Sequence, residues 1–382
     1  MFNQQKIDIP QRQSNVELLR ILAMLGIIIF HHFGKTIFCL FYSLPKGFTE
    51  SSYFYDVINN STTSLEFKSL LLDFCYSHFG DGGNLIFMLI TGYFLFGKKI
   101  NFEKRVKQVI KIIFIIVFWG CVLTVITGLV VKFFYPFGGI TGFKPKFNFP
   151  NWISGQSMWY FQAYCIFILI VVPILKYFEP QIDKKRHMLL IVTLITILFS
   201  DYQSYLPNIW LSTRIIQFLL GYYIGGYVKT YGVRFKLKKL IFVLFMYIVF
   251  FFLYDYYWRR SMRKMYSPYS YSYVDVANSH IYTLIFAVLV FLIFLSFNFS
   301  SPIINHISKS TPGIYVFHYN IISICFAFVD TYFWNHWSLK GFLIFVVVDS
   351  IVLFFVGYII DLVRQFLYSR FQVKVIDKFS DS

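Results

Sequence analysis

The chain has 382 residues, of which 57% are hydrophobic and only 14% are charged, and Phe alone contributes 49. A soluble domain has about 25% charged residues, so this composition excludes an ordinary soluble globule. The net charge of +17 would suggest nucleic acid in a soluble protein, but here the cations lie in short segments between apolar stretches. Topology and anionic lipid headgroups explain such cations, so we expect membrane lipids and no nucleic acid as partners.

The apolar segments have lengths typical of membrane-spanning helices. Clusters of charge and stretches rich in Pro, Gly and Asn separate about ten of them, which predicts an all-α membrane protein with its helices in one bundle. The predicted spans are 17–38, 84–97, 106–135, 158–178, 187–200, 213–228, 239–257, 279–299, 312–333 and 340–367. We expect a cytoplasmic N-terminal segment at 1–14, a transmembrane domain at 15–367 and a cytoplasmic tail at 368–382. Most of the 35 Lys and Arg residues then face the cytoplasm, as the positive-inside rule requires.

The first span carries an unusual pair of ionisable residues. Arg20 and His31 are 11 residues apart, which is almost three helical turns, so both lie on one face about 16 Å apart. His32 points about 100° away from that face. A guanidinium can hold a phosphate or carboxylate, and a neutral imidazole deeper in the membrane can take or give a proton. The alternative is that Arg20 is an interface anchor paired with Glu17, and that the two histidines only end the span.

Other polar residues within the spans are weaker candidates. In the second span, Thr91 precedes a glycine, and small residues there allow either a ligand or another helix to approach. Trp159 begins the fourth span as a substrate contact or as part of an interfacial aromatic belt. His318 lies in an apolar run, where it suits either proton chemistry or a satisfied place in the core, and Asp349 needs a cation or hydroxyl on another helix. The five cysteines lack paired spacing, so we expect neither a disulfide nor a metal site.

Three longer polar segments are predicted to be outer loops: Cys39–Gly83, Tyr135–Gln156 and Asp255–Asn278. The last is rich in tyrosine and carries Arg and Lys residues on the side where the topology rule does not expect them. Aromatic rings stack on sugars and cations attract acidic groups, so Tyr257 and Trp258 are candidates for binding an acceptor substrate. The alternative is again an aromatic belt at the membrane interface.

Five motifs follow one another along the chain: Arg20-x10-His31, Phe87-Met-Leu-Ile-Thr-Gly92, Phe102-Glu-Lys-Arg105, Trp159-Tyr-Phe-x-Ala-Tyr164 and Gly313-Ile-Tyr-x-x-His318. Together they resemble the acyltransferase-3 family of bacterial integral membrane O-acyltransferases. Two positions depart from the family pattern. Thr91 stands where the family has serine, and Gln108 stands where a second arginine often follows Arg105.

The resemblance implies a ten-helix enzyme of the bacterial plasma membrane. It would move an acyl group, usually acetyl, from acyl-CoA to a hydroxyl of a sugar or polysaccharide, without a metal. His31 corresponds to the histidine regarded as essential for transfer, and Arg20 to the basic residue paired with it. We expect His318 to act as a proton partner and Thr91 as a donor to the oxyanion. The CoA phosphates would be held by Arg20, Lys104, Arg105, Lys107 and Lys111.

Two other functions suit a basic, aromatic, polytopic protein. A transporter of polysaccharide or lipid-linked sugar would move its substrate without acyl-CoA. A glycan polymerase or ligase would change chain length but not ester content. Neither obviously requires the Arg20 and His31 pair, so acyl transfer is the preferred interpretation.

Overall fold

The computed structural model of the protein describes residues 13–42, 64–99, 101–134, 158–199, 210–232, 235–265, 280–322 and 339–380. Every regular element in these ranges is a helix, which confirms the predicted all-α fold. In chain order they are α1 (Ser14–Tyr42), α2 (Ser64–Leu95), α3 (Phe102–Phe134), α4 (Trp159–Ile166), α5 (Val172–Phe178), α6 (Lys184–Phe199), α7 (Trp210–Tyr231), α8 (Leu237–Met265), α9 (His280–Leu295), α10 (Pro302–Ile307), α11 (Thr311–Ile321) and α12 (Leu339–Ser380). A π-helical turn, Phe167–Val171, joins α4 to α5, and a 3₁₀ turn, Ser308–Ser310, joins α10 to α11.

Several of these helices are long and apolar enough to cross a membrane. Within the described part of the chain there are five such stretches: Ser14–His32, Phe102–Leu129, Trp159–Gln181, Leu237–Tyr254 and Leu343–Arg370. Their outward faces carry apolar side chains, as expected of helices that contact lipid. The protein is therefore an integral membrane protein, while the total of ten spans and the cytoplasmic termini stay predictions.

Helix α2 begins far earlier than the sequence indicates. The predicted span started at residue 84, and 39–83 was expected to be a loop. That prediction is wrong for residues 39–42, which end α1, and for residues 64–83, which are also helical. Glycines near Asp81 interrupt the apolar pattern, but they serve close packing against α1. A Cβ at Gly83 would lie 2.6 Å from Ile27 Cγ1, and one at Gly80 would lie 2.6 Å from Phe30 Cγ. Residues 43–63 of the predicted loop lie outside the described residues.

Helix α8 also extends into a predicted loop. The prediction of a loop over Asp255–Asn278 is wrong for its first part, since the helix continues to Met265. This stretch contains no Gly or Pro, and its Arg, Met and Lys residues are good helix formers, so polarity alone does not end the helix. Residues 266–279, like the predicted loop at 135–156, lie outside the described residues.

The contact between α2 and α7 depends on glycine. Gly92 and Gly221 face one another, and a Cβ at Gly221 would lie 2.6 Å from Met88 Cβ and 2.9 Å from the Met88 carbonyl carbon. Small residues of this kind let helix backbones approach closely in a membrane. Of the two explanations for the Thr91–Gly92 pair, helix packing therefore applies to Gly92.

We expect the substitution Gly221→Val to lower the free energy of unfolding by about 1–3 kcal/mol, because the added methyl groups overlap the backbone of α2. Gly128→Val in α3 is the matched control, since nothing lies within 4 Å of a Cβ at that position. Thermal unfolding in detergent, followed by tryptophan fluorescence, would compare the two variants. Equal midpoints for both would contradict the packing argument.

A partly buried ionic cluster fixes the end of α2 that follows Thr91. The Glu179 carboxylate accepts hydrogen bonds from Lys176 Nζ at 2.7 Å, from the Gly97 amide at 3.2 Å and from the Tyr222 hydroxyl. Lys176 Nζ also donates to the Leu95 carbonyl at 2.8 Å, which satisfies a carbonyl at the C-terminus of α2. These contacts join α2, α5 and α7 at one end of the bundle.

Candidate active site

A cavity of about 300 Å³ opens between α1, α2, α3, α4 and α11. Its polar wall combines three cations, Arg20, Lys111 and Lys309, with hydroxyl and amide groups. The remaining wall is largely apolar and aromatic, as in most small-molecule sites. The lining residues are Arg20, Phe87, Thr91, Gln108, Lys111, Ile112, Ile115, Tyr160, Phe161, Tyr164, Ser308, Lys309, Thr311, Pro312 and Tyr315.

Arg20 forms the predicted ion pair with Glu17 and also lines the cavity. Its NH1 lies 3.3 Å from each carboxylate oxygen of Glu17, so the predicted ion pair within α1 is present. The guanidinium also lines the cavity and lies 5.8 Å from the centre of the Phe94 ring. Glu17 is 4% exposed, so this contact orients the guanidinium from the side.

The basic cluster at the start of α3 divides between two faces of the helix. Lys111 lines the cavity, whereas Lys104 is exposed and Lys107 forms an exposed ion pair with Glu103 at 2.5 Å. Arg105 is buried, at 8% exposure. Of the expected phosphate-binding residues in α3, the structure therefore brings Lys111 to the cavity directly.

Gln108 connects Arg105 to the cavity. Arg105 NH1 donates to Gln108 Oε1 at 3.2 Å, and Gln108 Nε2 donates to the Tyr164 hydroxyl at 2.5 Å. The residue that departs from the family's second arginine thus becomes part of the cavity wall. It replaces a charge with an amide that accepts from one side chain and donates to another.

His31 and His318 meet beyond the aromatic end of the cavity. Their ring centres are 5.0 Å apart, and the His31 ring is also 5.0 Å from that of Tyr319. His318 is 1% exposed, and its Nδ1 lies 3.2 Å from the Ile314 carbonyl oxygen. That contact places the proton on Nδ1 and leaves Nε2 with a free lone pair. Within the described residues, no hydrogen-bond partner occupies His318 Nε2.

His32 points to a different neighbour, as its helical position predicts. Its Nε2 lies 3.0 Å from Asp349 Oδ2 on α12, and the imidazole is fully buried. The sequence required a partner for Asp349 on another helix, and His32 fills that role.

The aromatic wall brings the cavity close to the two catalytic candidates. The rings of Tyr160 and Tyr315 are 5.4 Å apart, and Tyr315 lies 5.6 Å from His318. Thr91 lines the same cavity, and its hydroxyl donates to the Phe87 carbonyl at 2.8 Å. Thr91 must rotate away from this bond before it can donate to a substrate oxygen.

Two other predicted substrate contacts, Trp159 and Tyr257, lie outside the cavity wall. Trp159 neighbours Tyr160 but stacks instead against Arg214, with 4.2 Å between the guanidinium carbon and the ring centre. Tyr257 is 66% exposed on α8, and the side chain of Trp258 lies outside the described residues.

Sequence reasoning did not identify several residues of the site. The cavity also contains Lys309, Tyr160, Tyr164 and Tyr315, and Gln108 appeared only as a departure from the family pattern. The motifs that carry the resemblance contain Tyr160, Tyr164 and Tyr315. Their place in these motifs could therefore have identified them from sequence.

Comparison with known proteins gives one match. The family model of acyltransferase-3, described as an acyltransferase domain, matches residues 13–361, which is nearly the whole chain. No curated protein and no solved structure matches the chain significantly. The match includes every residue of the cavity wall.

Proposed function

Because the chain belongs to the acyltransferase-3 family, we propose that it moves an acyl group, acetyl in the usual case, from acyl-CoA to a hydroxyl of a cell-surface sugar or polysaccharide. Family membership supports the membrane acyltransferase activity. The cavity is the observation that supports acyl-CoA as the donor and the histidines as the reacting groups. It leads from three cations to the neighbourhood of His31 and His318.

The cavity suits the reactive arm of an acyl-CoA. Its volume of about 300 Å³ is at the small end of ligand sites, so it fits an extended arm and leaves the nucleotide at the mouth. Arg20, Lys111 and Lys309 supply positive charge that complements phosphate groups. The largely apolar wall suits the thioester end, which carries no charge.

His318 is suited to act as the general base. Its Nε2 lone pair would take the proton from the acceptor hydroxyl while the oxygen forms a bond to the acyl carbon. The bond from that carbon to sulfur then breaks, and CoA leaves as a thiolate that regains the proton. His31, at 5.0 Å between ring centres, is placed to relay that proton or to accept the acyl group first. A hydroxyl from Thr91 or Tyr315 would stabilise the oxyanion.

The proposed setting is the bacterial plasma membrane. Acyl-CoA would enter from the cytoplasm at the Arg20 end, and the sugar would be reached near the His31 end. The apolar helices that contact lipid support an integral membrane location.

We expect Lys111→Ala to raise the KM for acetyl-CoA about tenfold with little change in kcat, because one charge that binds phosphate in ground and transition states alike is lost. Lys107→Ala is the matched control, since that lysine lies one turn earlier in an exposed ion pair. Transfer of labelled acetyl from acetyl-CoA to sugar by the purified protein would measure both.

A wild-type protein that moves sugar across the membrane of vesicles but transfers no labelled acetyl would favour the transporter function. Equal KM values for acetyl-CoA in both lysine variants would remove Lys111 from the donor site. A deletion that alters glycan length at constant ester content would favour the polymerase.

A further inference from the structure

A second polar cluster lies beside the cavity without belonging to its wall. The Arg214 guanidinium covers the Trp159 ring at 4.2 Å, and its NH1 lies 3.7 Å from Asp81 Oδ1. The same NH1 donates to Gln217 Oε1 at 3.1 Å. The side chains of Arg214 and Asp81 are 27% and 35% exposed, so both can reach a ligand.

This cluster lies at the His31 end of the bundle. Asp81 follows Gly80, which packs directly against Phe30 of α1, the residue before His31. Trp159 precedes Tyr160, with 5.6 Å between their ring centres, and Tyr160 lines the cavity. The cavity, which Arg20 lines, and the cluster around Arg214 therefore meet at the aromatic wall.

Tyr315 lies between Tyr160, the neighbour of Trp159, and the proposed base His318. Its ring centre lies 5.4 Å from that of Tyr160 and 5.6 Å from that of His318. Because Gly80, beside Asp81, packs on Phe30, beside His31, a hydroxyl compound bound by Asp81 and Arg214 would lie at the end of the bundle where His31 and His318 meet.

We propose that Asp81, Trp159 and Arg214 form the acceptor subsite, and that it binds neighbouring hydroxyl groups of a neutral sugar ring. This inference rests on the proposed function. It extends the predicted contact at Trp159 with two residues that no sequence motif suggested.

The geometry of Asp81 and Arg214 favours a role in binding a ligand over a role as a structural salt bridge. A separation of 3.7 Å is longer than a hydrogen bond, so the two groups do not saturate one another. The carboxylate accepts from sugar hydroxyls and the guanidinium donates to them. Trp159 holds the guanidinium flat, so that the fork of donors stays in one orientation.

The charge of the pair selects among sugars. One positive and one negative group give a net charge of zero, which suits an uncharged ring. A hexuronate carboxylate beside the pair would be attracted by Arg214 and repelled by Asp81, so it would gain little net attraction to offset its loss of hydration. The subsite therefore predicts a preference for neutral hexosides over hexuronates.

The test uses the purified full-length protein, labelled acetyl-CoA, and methyl glycosides of neutral hexoses and of hexuronates as acceptors. We expect Arg214→Lys and Asp81→Asn each to raise the KM for the neutral glycosides about tenfold and to leave the KM for acetyl-CoA within about twofold. An exposed ion pair adds little stability, so both variants should fold.

Two controls match the chemistry of these changes. Arg370→Lys alters an exposed arginine that lies 5.3 Å over the Phe366 ring. Asp183→Asn alters an exposed carboxylate that accepts from the Arg186 amide at the start of α6, where asparagine also caps well. Both should keep wild-type KM values for both substrates.

The outcomes separate this inference from the proposed function. Acceptor KM values in the two test variants equal to those of the controls would overturn the subsite while leaving acyl transfer in place. A wild-type preference for hexuronates would also overturn it. A wild-type protein that acetylates none of the glycosides would overturn the proposed function together with the subsite.

Discussion

Replacing His318 with glutamine is expected to lower acyl transfer by about 10²- to 10⁴-fold, the usual contribution of a positioned general base. Glutamine can keep a hydrogen bond to a backbone carbonyl but offers no basic nitrogen in place of Nε2. His31→Ala should cause a loss of similar size, because the two rings lie 5.0 Å apart and the proposed mechanism has both act on the same proton. The double variant should then be no worse than the poorer single one.

Two measurements would check this prediction. Alkali-labile acyl signals in proton NMR spectra of surface polysaccharide report transfer in cells, and labelled acetyl-CoA reports kcat for the purified protein. His306→Gln is the control, since His306 on α10 does not line the cavity and its ring centre lies 6.1 Å from that of Tyr358. Full ester content in cells that express well-folded His318→Gln would exclude His318 as the base.

The residues on α1 could be predicted because a helix converts sequence spacing into direction. Arg20 reaches the cavity and His31 reaches His318, whereas His32 turns to Asp349 on another helix. Pairing between distant helices is a different matter. That His31 would meet His318 follows from tertiary packing, and the spacing within either span contains no information about it.

The errors in the fold share one physical origin. Glycines and Asp81 at 80–83 and a basic stretch after residue 254 interrupt the hydrophobic pattern, and both were predicted to be loops. In the structure, Gly80 and Gly83 permit contact with α1, and the basic stretch continues a helix. Hydropathy records what faces lipid, so it fails where a helix packs closely on another helix or leaves the membrane.

The polar contacts that hold helices together were equally hidden from sequence. Gln108 donates to the Tyr164 hydroxyl, and Glu179 accepts from the Tyr222 hydroxyl. Each tyrosine is distant in the chain from its partner. Arg364 lies near the end of the last predicted span, yet it is fully buried. A charge near the end of an apolar span can either reach the headgroups or turn inwards to a partner, and the partner decides which occurs.

The buried partner of Arg364 is Asp361, one turn earlier on α12. Arg364 Nε and NH2 donate to the two carboxylate oxygens at 2.6 and 2.9 Å, and neither side chain is more than 1% exposed. Trp119 Nε1 on α3 donates to the same carboxylate at 3.4 Å, and Gln365 joins it to Ser310. The pair therefore connects α12 to α3 and to the turn before α11.

We expect Asp361→Asn to lower the free energy of unfolding by about 3–5 kcal/mol, because it leaves the Arg364 charge buried without compensation. The double variant Asp361→Asn with Arg364→Met removes both charges and should recover most of that loss, since an apolar side chain in place of a buried ion costs no desolvation. Thermal unfolding in detergent would rank the three proteins. Glu103→Gln, which removes one member of an exposed ion pair on α3, should change little. A double variant less stable than Asp361→Asn would show that the guanidinium stabilises the bundle through contacts other than its carboxylate.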